Sequence, residues 1–116
     1  TILGDASQLK QVFHNIFSNG LDAMNLKGRM SVRIISIIKG ATNFCRITIR
    51  DWGNGIDQET LTRIFEPYYT TRKNGTGLGL PIVERIITDH KGRIWVESSQ
   101  GEGTVFYIDL PSGRVQ

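Results

Sequence analysis

Two stretches of this chain carry residue types that can do chemistry: Asp51-Trp52-Gly53-Asn54-Gly55 and Asn74-Gly75-Thr76-Gly77-Leu78-Gly79-Leu80-Pro81. Glycines let main-chain N–H groups approach phosphates and take up positive φ without a Cβ clash. A helix starting just after the second cluster would add its positive end. With a carboxylate at the head of the first cluster, the pair reads as an ATP site. Two rival motifs fail. The second cluster is spaced G-x-G-x-G rather than G-x-G-x-x-G and follows a loop instead of the first strand of a βαβ unit. No Gly-Lys-Ser/Thr follows either, so neither a dinucleotide fold nor a P-loop is met.

The surrounding elements must hold these clusters in place. Asp5 or Ser7 can cap a helix running to about Met24 to Lys27, with Leu9, Val12, Phe13, Ile16, Phe17, Gly20, Leu21 and Met24 on its apolar face. A polar stripe of Gln8, Gln11, Asn15, Asn19 and Asp22 runs beside that face in steps of three and four, an edge suited to lining a cleft. A β-branched strand, Met30 to Ile38, turns at Gly40-Ala41-Thr42-Asn43 into a second strand. There Cys45, Ile47 and Ile49 alternate with Arg46, Thr48 and Arg50. Such alternation predicts an antiparallel sheet covered on one face. Continued, it puts Asp51 on the buried side, where a carboxylate is costly unless it binds something. Residues 54 to 78 read as a loop that moves, with a short helix Gln58 to Ile64. A second long helix spans Leu78 to His90, Arg93 to Glu97 and Thr104 to Leu110 form a hairpin, and Ser112 to Gln116 reads as a frayed tail.

At 116 residues, 39% hydrophobic and 22% charged, the chain is one domain. No apolar run approaches the roughly 20 residues of a membrane span. The opening Thr1-Ile2-Leu3, without a methionine, reads as a piece of something longer. The single Cys45 rules out an internal disulfide and fits a reducing compartment. The net charge of +3 raises nucleic acid as a partner, yet Lys10, Lys27, Arg33, Arg50, Arg72, Lys73 and Arg93 look scattered, so no nucleic-acid binding is expected.

Four ordered blocks then carry a resemblance. Asn15-Ile16-Phe17-Ser18-Asn19-Gly20-Leu21-Asp22-Ala23 resembles the N box of sensor histidine kinases, and Asp51-Trp52-Gly53-Asn54-Gly55 their first glycine box. Ile64-Phe65-Glu66-Pro67-Tyr68-Tyr69-Thr70-Thr71 resembles the F box, and Gly75-Thr76-Gly77-Leu78-Gly79-Leu80 the second glycine box. Gly101-Glu102-Gly103-Thr104-Val105-Phe106 also fits, and the compact lid is most similar to kinases of the nitrogen-regulator type. The resemblance implies the Bergerat fold of the GHKL superfamily: an α/β (α+β) two-layer sandwich, its mixed, mostly antiparallel sheet covered on one face by helices.

It also implies roles. Asp51 would accept a hydrogen bond from the adenine amine, which an ionised carboxylate, having acceptors only, can do. Thr104 would assist through a shared water. Asn19 would ligate Mg²⁺, which prefers hard oxygen ligands. Asn15 stands where hydrolysing members carry a glutamate base; an amide cannot take a proton from water, which favours transfer to an acceptor. Gly53, Gly55, Ile56 and Leu80 would line the nucleotide, and Gly75, Thr76, Gly77, Leu78 and Gly79 would wrap its phosphates. Phe65, with Tyr68 and Tyr69, would hinge the lid, with Thr70, Thr71, Arg72 and Lys73 in it. Relatives often place a lysine where Asp22 stands, so a cation must come from the lid or a partner domain.

His14 and His90 do not resemble the phosphoacceptor, which would lie in a separate helical dimerisation domain. The implied whole is a cytoplasmic two-component kinase, homodimeric through those helices, with or without an inner-membrane anchor, and acting on a response regulator indirectly. The domain itself would be a monomer. Rival readings are a GHKL ATPase clamp, a protein-serine kinase of the same fold, and a module that only binds nucleotide or partners.

Overall fold

The structure, a computed structural model, describes residues 5–24, 28–69 and 79–114. Helix α1 (Ala6–Ala23) begins at Asp5, whose Oδ1 accepts the Gln8 N–H at 3.0 Å, a side-chain cap for an otherwise unpaired donor. Strands β1 (Met30–Lys39) and β2 (Thr42–Asp51) form a hairpin through Gly40 and Ala41. Helix α2 (Gln58–Leu61) is capped by Asp57, α3 spans Gly79–Asp89, and β3 (Arg93–Ser99) turns into β4 (Gly103–Arg114).

The sheet order is β1-β2-β4-β3, and all three ladders are antiparallel. Among the described residues no parallel pairing makes the sheet mixed. The core lies between the sheet and the two long helices: Val12 and Ile16 of α1 and Val83, Ile86 and Ile87 of α3 meet Ile47, Ile49, Phe106, Ile108 and Leu110. The layer stops short of β1. Val32 and Ile34 share the inward face with their partners Ile49 and Ile47, yet stay 48% and 65% exposed. Leu21, on the expected apolar face of α1, is likewise exposed.

Three expectations need correction. Residues 112–114 are not a frayed tail. They extend β4, pairing Gly113 with Asn43 and Arg114 with Thr42, because β2 is long enough to offer them a ladder. The short helix ends at Leu61 rather than Ile64. Beyond it the Arg63 N–H reaches the Thr60 carbonyl and the Glu66 N–H the Arg63 carbonyl, three-residue turns too tight to continue an α-helix. The cations are not all scattered: strand pairing gathers Arg33, Arg50 and Arg93 on the open face of the sheet, with Arg46 and Lys39.

Candidate nucleotide site

Asp51 is the last residue of β2 and points into the space beneath α1, only 4% exposed. Burial pushes its carboxyl above the ordinary aspartate range, and main-chain N–H groups of Gly53 and Thr104 partly oppose that shift. Gly53 N donates to Asp51 Oδ1 at 2.9 Å. Above it, Gly20 of α1 lets the helix and the Met30 side chain approach closely. A Cβ there would sit 2.6 Å from the Met30 methyl and 3.6 Å from Asp51 Oδ2. The missing side chain thus brings the α1 backbone directly over the buried carboxylate, with the flexible end of Met30 beside it.

The loop after Asp51 is clasped to the β3–β4 turn. Gly55 has φ of 73°, and a Cβ there would collide with the Ser99 carbonyl. Gly103 (φ 98°) likewise brings its backbone against the Asp51 carbonyl, an approach closed to any side chain. Gly101 N donates to the Asn54 carbonyl at 2.7 Å, and Ile56 N to Ser98 Oγ at 2.8 Å. Ser98 Oγ in turn donates to the Gly103 carbonyl at 2.8 Å and lies 2.9 Å from Thr104 Oγ1. A hydroxyl has one proton, so with Ser98 donating to Gly103 it is the Thr104 hydroxyl that donates to Ser98.

Ser98 was missed in the sequence. Its signal is its register: Ile94, Val96 and Ser98 occupy one side of β3, and a serine in that series beside a glycine-rich turn asks for a partner. Thr104, opposite Asp51 in the ladder and buried, belongs to this clasp.

On α1 the polar stripe divides. Gln8 and Gln11 are exposed, while Asn15 and Asn19 sink to half-buried positions, and Asp22 lies in the same helix. Asn15 Nδ2 donates to the Gly79 carbonyl at 3.2 Å, tying α1 to the first residue of α3. Leu80 packs against the core beside that contact. Phe65 is half-buried, and Tyr69 lies under the Arg63 guanidinium at 4.2 Å. Tyr68 is 77% exposed with φ of 66°, a left-handed backbone uncommon for an aromatic residue. Thr70, Thr71, Arg72, Lys73, Gly75, Thr76, Gly77 and Leu78 lie outside the described residues.

A buried acceptor beneath α1, two amides on the edge of the same helix and a glycine-clasped rim lie together on one side of the sheet. Residues 4–114 match the family described as histidine kinase-, DNA gyrase B-, and HSP90-like ATPases. The chain belongs to that family.

Relatives within this family include sporulation kinases and sensory histidine kinases. The chain is 48% identical over 110 residues to sporulation kinase C of Bacillus subtilis (strain 168), covering 95% of this chain and 25% of that protein. It is 40% identical over 120 residues to the sensory histidine kinase/phosphatase NtrB of Rhodobacter capsulatus, covering 94% of this chain and 33% of that one. Among solved structures, the mycobacterial sensor histidine kinase MprB superposes with a TM-score of 0.82 at 30% identity, covering 99% of this chain and 76% of that one. The fold is therefore the Bergerat sandwich of histidine kinase catalytic domains, and the chain is an ATP-binding domain of the two-component sensor-kinase kind. It spans a quarter to a third of the length of these two relatives.

The site suits the nucleotide and its metal. Asp51, buried and acceptor-only when ionised, suits an amine donor. No cluster of three or more His, Cys, Asp or Glu capable of holding a metal exists among the described residues. A cation here would take oxygen from asparagine amides, the hard donor that Mg²⁺ accepts when phosphates supply further ligands. Among the described residues, no helix is long and apolar enough to cross a membrane.

Proposed function

We propose that this domain binds Mg-ATP and delivers the γ-phosphoryl group to a histidine on a separate helical dimerisation domain. The observation that carries the proposal is the buried Asp51 carboxylate, held by Gly53 and Thr104 N–H groups beneath the α1 backbone at Gly20. An ionised carboxylate accepts from the adenine amine and repels the guanine carbonyl, so the pocket selects ATP. Gly53, Gly55 and Ile56 shape the wall beside the base.

Asn19 supplies an amide oxygen to Mg²⁺, which when bound neutralises phosphate charge. Asn15 holds the start of α3, beside the phosphates, through its Nδ2. Arg72, Lys73, Thr70, Thr71 and the Gly75–Leu78 turn close over them as a lid hinged near Phe65, and Thr104 supports Asp51 through water. Acceleration comes from positioning and charge neutralisation, since phosphoryl transfer needs little covalent help. Asn15 offers no general base for hydrolysis, which favours transfer over an ATPase clamp.

In the whole protein the acceptor helices would supply the homodimer, and the phosphoryl group would pass on to a response regulator. Reconstitution tests this reading. Mixed with a separately produced dimeric helical domain that carries a phosphoacceptor histidine and with labelled ATP, the chain should place acid-labile label on that histidine. Label on serine, or free phosphate alone, would contradict it.

A further inference from the structure

The sheet face turned away from the helices carries the charge of the whole chain. Strand register places Arg33 of β1, Arg46 and Arg50 of β2, and Arg93 of β3 on it, with Lys39 at the β1 end. Among the described residues, two carboxylates of the strands share the face, Asp109 and Glu97. These seven residues alone sum to +3, equal to the net charge of the chain.

The cations differ in what they already hold. Asp109, fully buried, takes Lys39 Nζ at 2.6 Å and Arg46 through Nε at 2.8 Å and Nη2 at 2.9 Å. Arg33, Arg50 and Arg93 are exposed and have no carboxylate partner among the described residues. Arg93 lies 4.8 Å and Arg46 5.1 Å from the Trp95 ring centroid, while Trp95 itself stacks on Tyr107 at 5.2 Å with 10° between planes. Trp52 is flanked in the same way by Arg29 at 4.4 Å and Arg50 at 4.9 Å. A guanidinium against a ring keeps its N–H edge free for a forked contact with an anion, and its side chain is already ordered.

We propose that this open sheet face docks an acidic segment of a partner protein, its carboxylates taken by the N–H edges of Arg33, Arg50 and Arg93. Charge complementarity selects the occupant. Nucleic acid fits less well, because stacking bases need free ring faces and those of Trp95 and Trp52 are engaged. Four strands at about 4.8 Å spacing make a patch roughly 15 Å wide, enough for one extended segment or a helix. The patch is on the opposite side of the sheet from Asp51, so a partner there leaves the nucleotide side clear.

Titrating a short oligo-glutamate peptide into the ¹⁵N-labelled chain at low salt tests this. Amide shifts should move along β2, β3 and β4 around Arg50, Arg93 and Tyr107. The affinity should fall by about tenfold in Arg50→Glu/Arg93→Glu, since each exposed ion pair is modest and reversal turns attraction into repulsion. Arg85→Glu, on exposed α3, should leave binding unchanged. A milder Arg50→Gln/Arg93→Gln pair keeps the comparison should the reversal disturb folding. No binding, shifts confined to the helical face, an equal loss in Arg85→Glu, or tighter binding of a thymidine oligonucleotide at the same salt would each overturn the proposal.

Discussion

Asn15 of α1 donates through Nδ2 to the main-chain carbonyl of Gly79, the first residue of α3, at 3.2 Å. The two residues are 64 positions apart, and the bond fixes one wall of the cleft to the point where the second glycine cluster enters its helix. The asparagine thus serves as a tie between the two helices.

Asn15→Ala should cut that tie. One part-buried hydrogen bond is worth about 1 kcal/mol, so urea unfolding should show a loss near that size. Mg-ATP affinity should fall more than stability alone explains, because the start of α3 is released next to the phosphates. Unchanged affinity would confine Asn15 to a structural role.

Gly20→Ala separates folding from binding. Alanine in a helix interior gains about 1 kcal/mol over glycine, and the closest clash is with the flexible end of Met30. Stability should therefore change by less than about 1 kcal/mol in thermal unfolding. The new methyl pushes the Met30 end aside next to Asp51 and crowds the carboxylate, so Mg-ATP binding should weaken by at least about tenfold, or about 1.4 kcal/mol.

How far such features could be read without coordinates depends on their range. Alternation along β2 placed Asp51 inward, because a period of two is local and Ile47 and Ile49 declare the buried face. The apolar faces of α1 and α3 were equally plain, except at Leu21, where the sheet does not reach. What stayed hidden depends on pairing between distant strands. Ser98 gains meaning only when β3 sets it beside Thr104 and Ile56, and three dispersed arginines become a patch only in the sheet. The early end of α2 and the extra pairing at 112–114 were set by neighbours that no propensity encodes.

Asp109 anchors the open face and gives a pH signature. Arg46 and Lys39 hold its carboxyl below the ordinary aspartate range despite burial. A lowered folded-state pKa means stability that is present above the unfolded value of about 3.9 and lost as pH falls through the folded one. Asp109→Asn should cost about 1–2 kcal/mol at neutral pH, the lower part of the range for charged hydrogen bonds, because both cations also reach water. The gap between the two proteins should close below the ordinary aspartate value. A gap that persists there in urea unfolding would contradict the account.

The chain alone should not label itself. His90 has Nδ1 2.8 Å from the Ile86 carbonyl, and its Nε2 accepts the Asp5 N–H at 2.9 Å, so both ring nitrogens are engaged. His14 stands exposed on α1, inside the block that faces the nucleotide. After incubation with labelled ATP, no base-stable, acid-labile phosphate should remain on the chain; retained label of that kind would place an acceptor within these 116 residues.

Asp51 has a cost to the empty fold. Its raised pKa means that stability is fullest below the unfolded aspartate value and is lost as pH rises through the folded value, where the buried carboxyl ionises. Asp51→Asn should consequently unfold at the same or a higher temperature than the parent at neutral pH. Calorimetric titration of both proteins with Mg-ATP and Mg-GTP is then the most direct test of the central claim. The account predicts that the parent binds ATP and not GTP, and that the substitution abolishes ATP binding while the fold persists. Equal binding of both nucleotides by the parent, or undiminished ATP binding by Asp51→Asn, would contradict it.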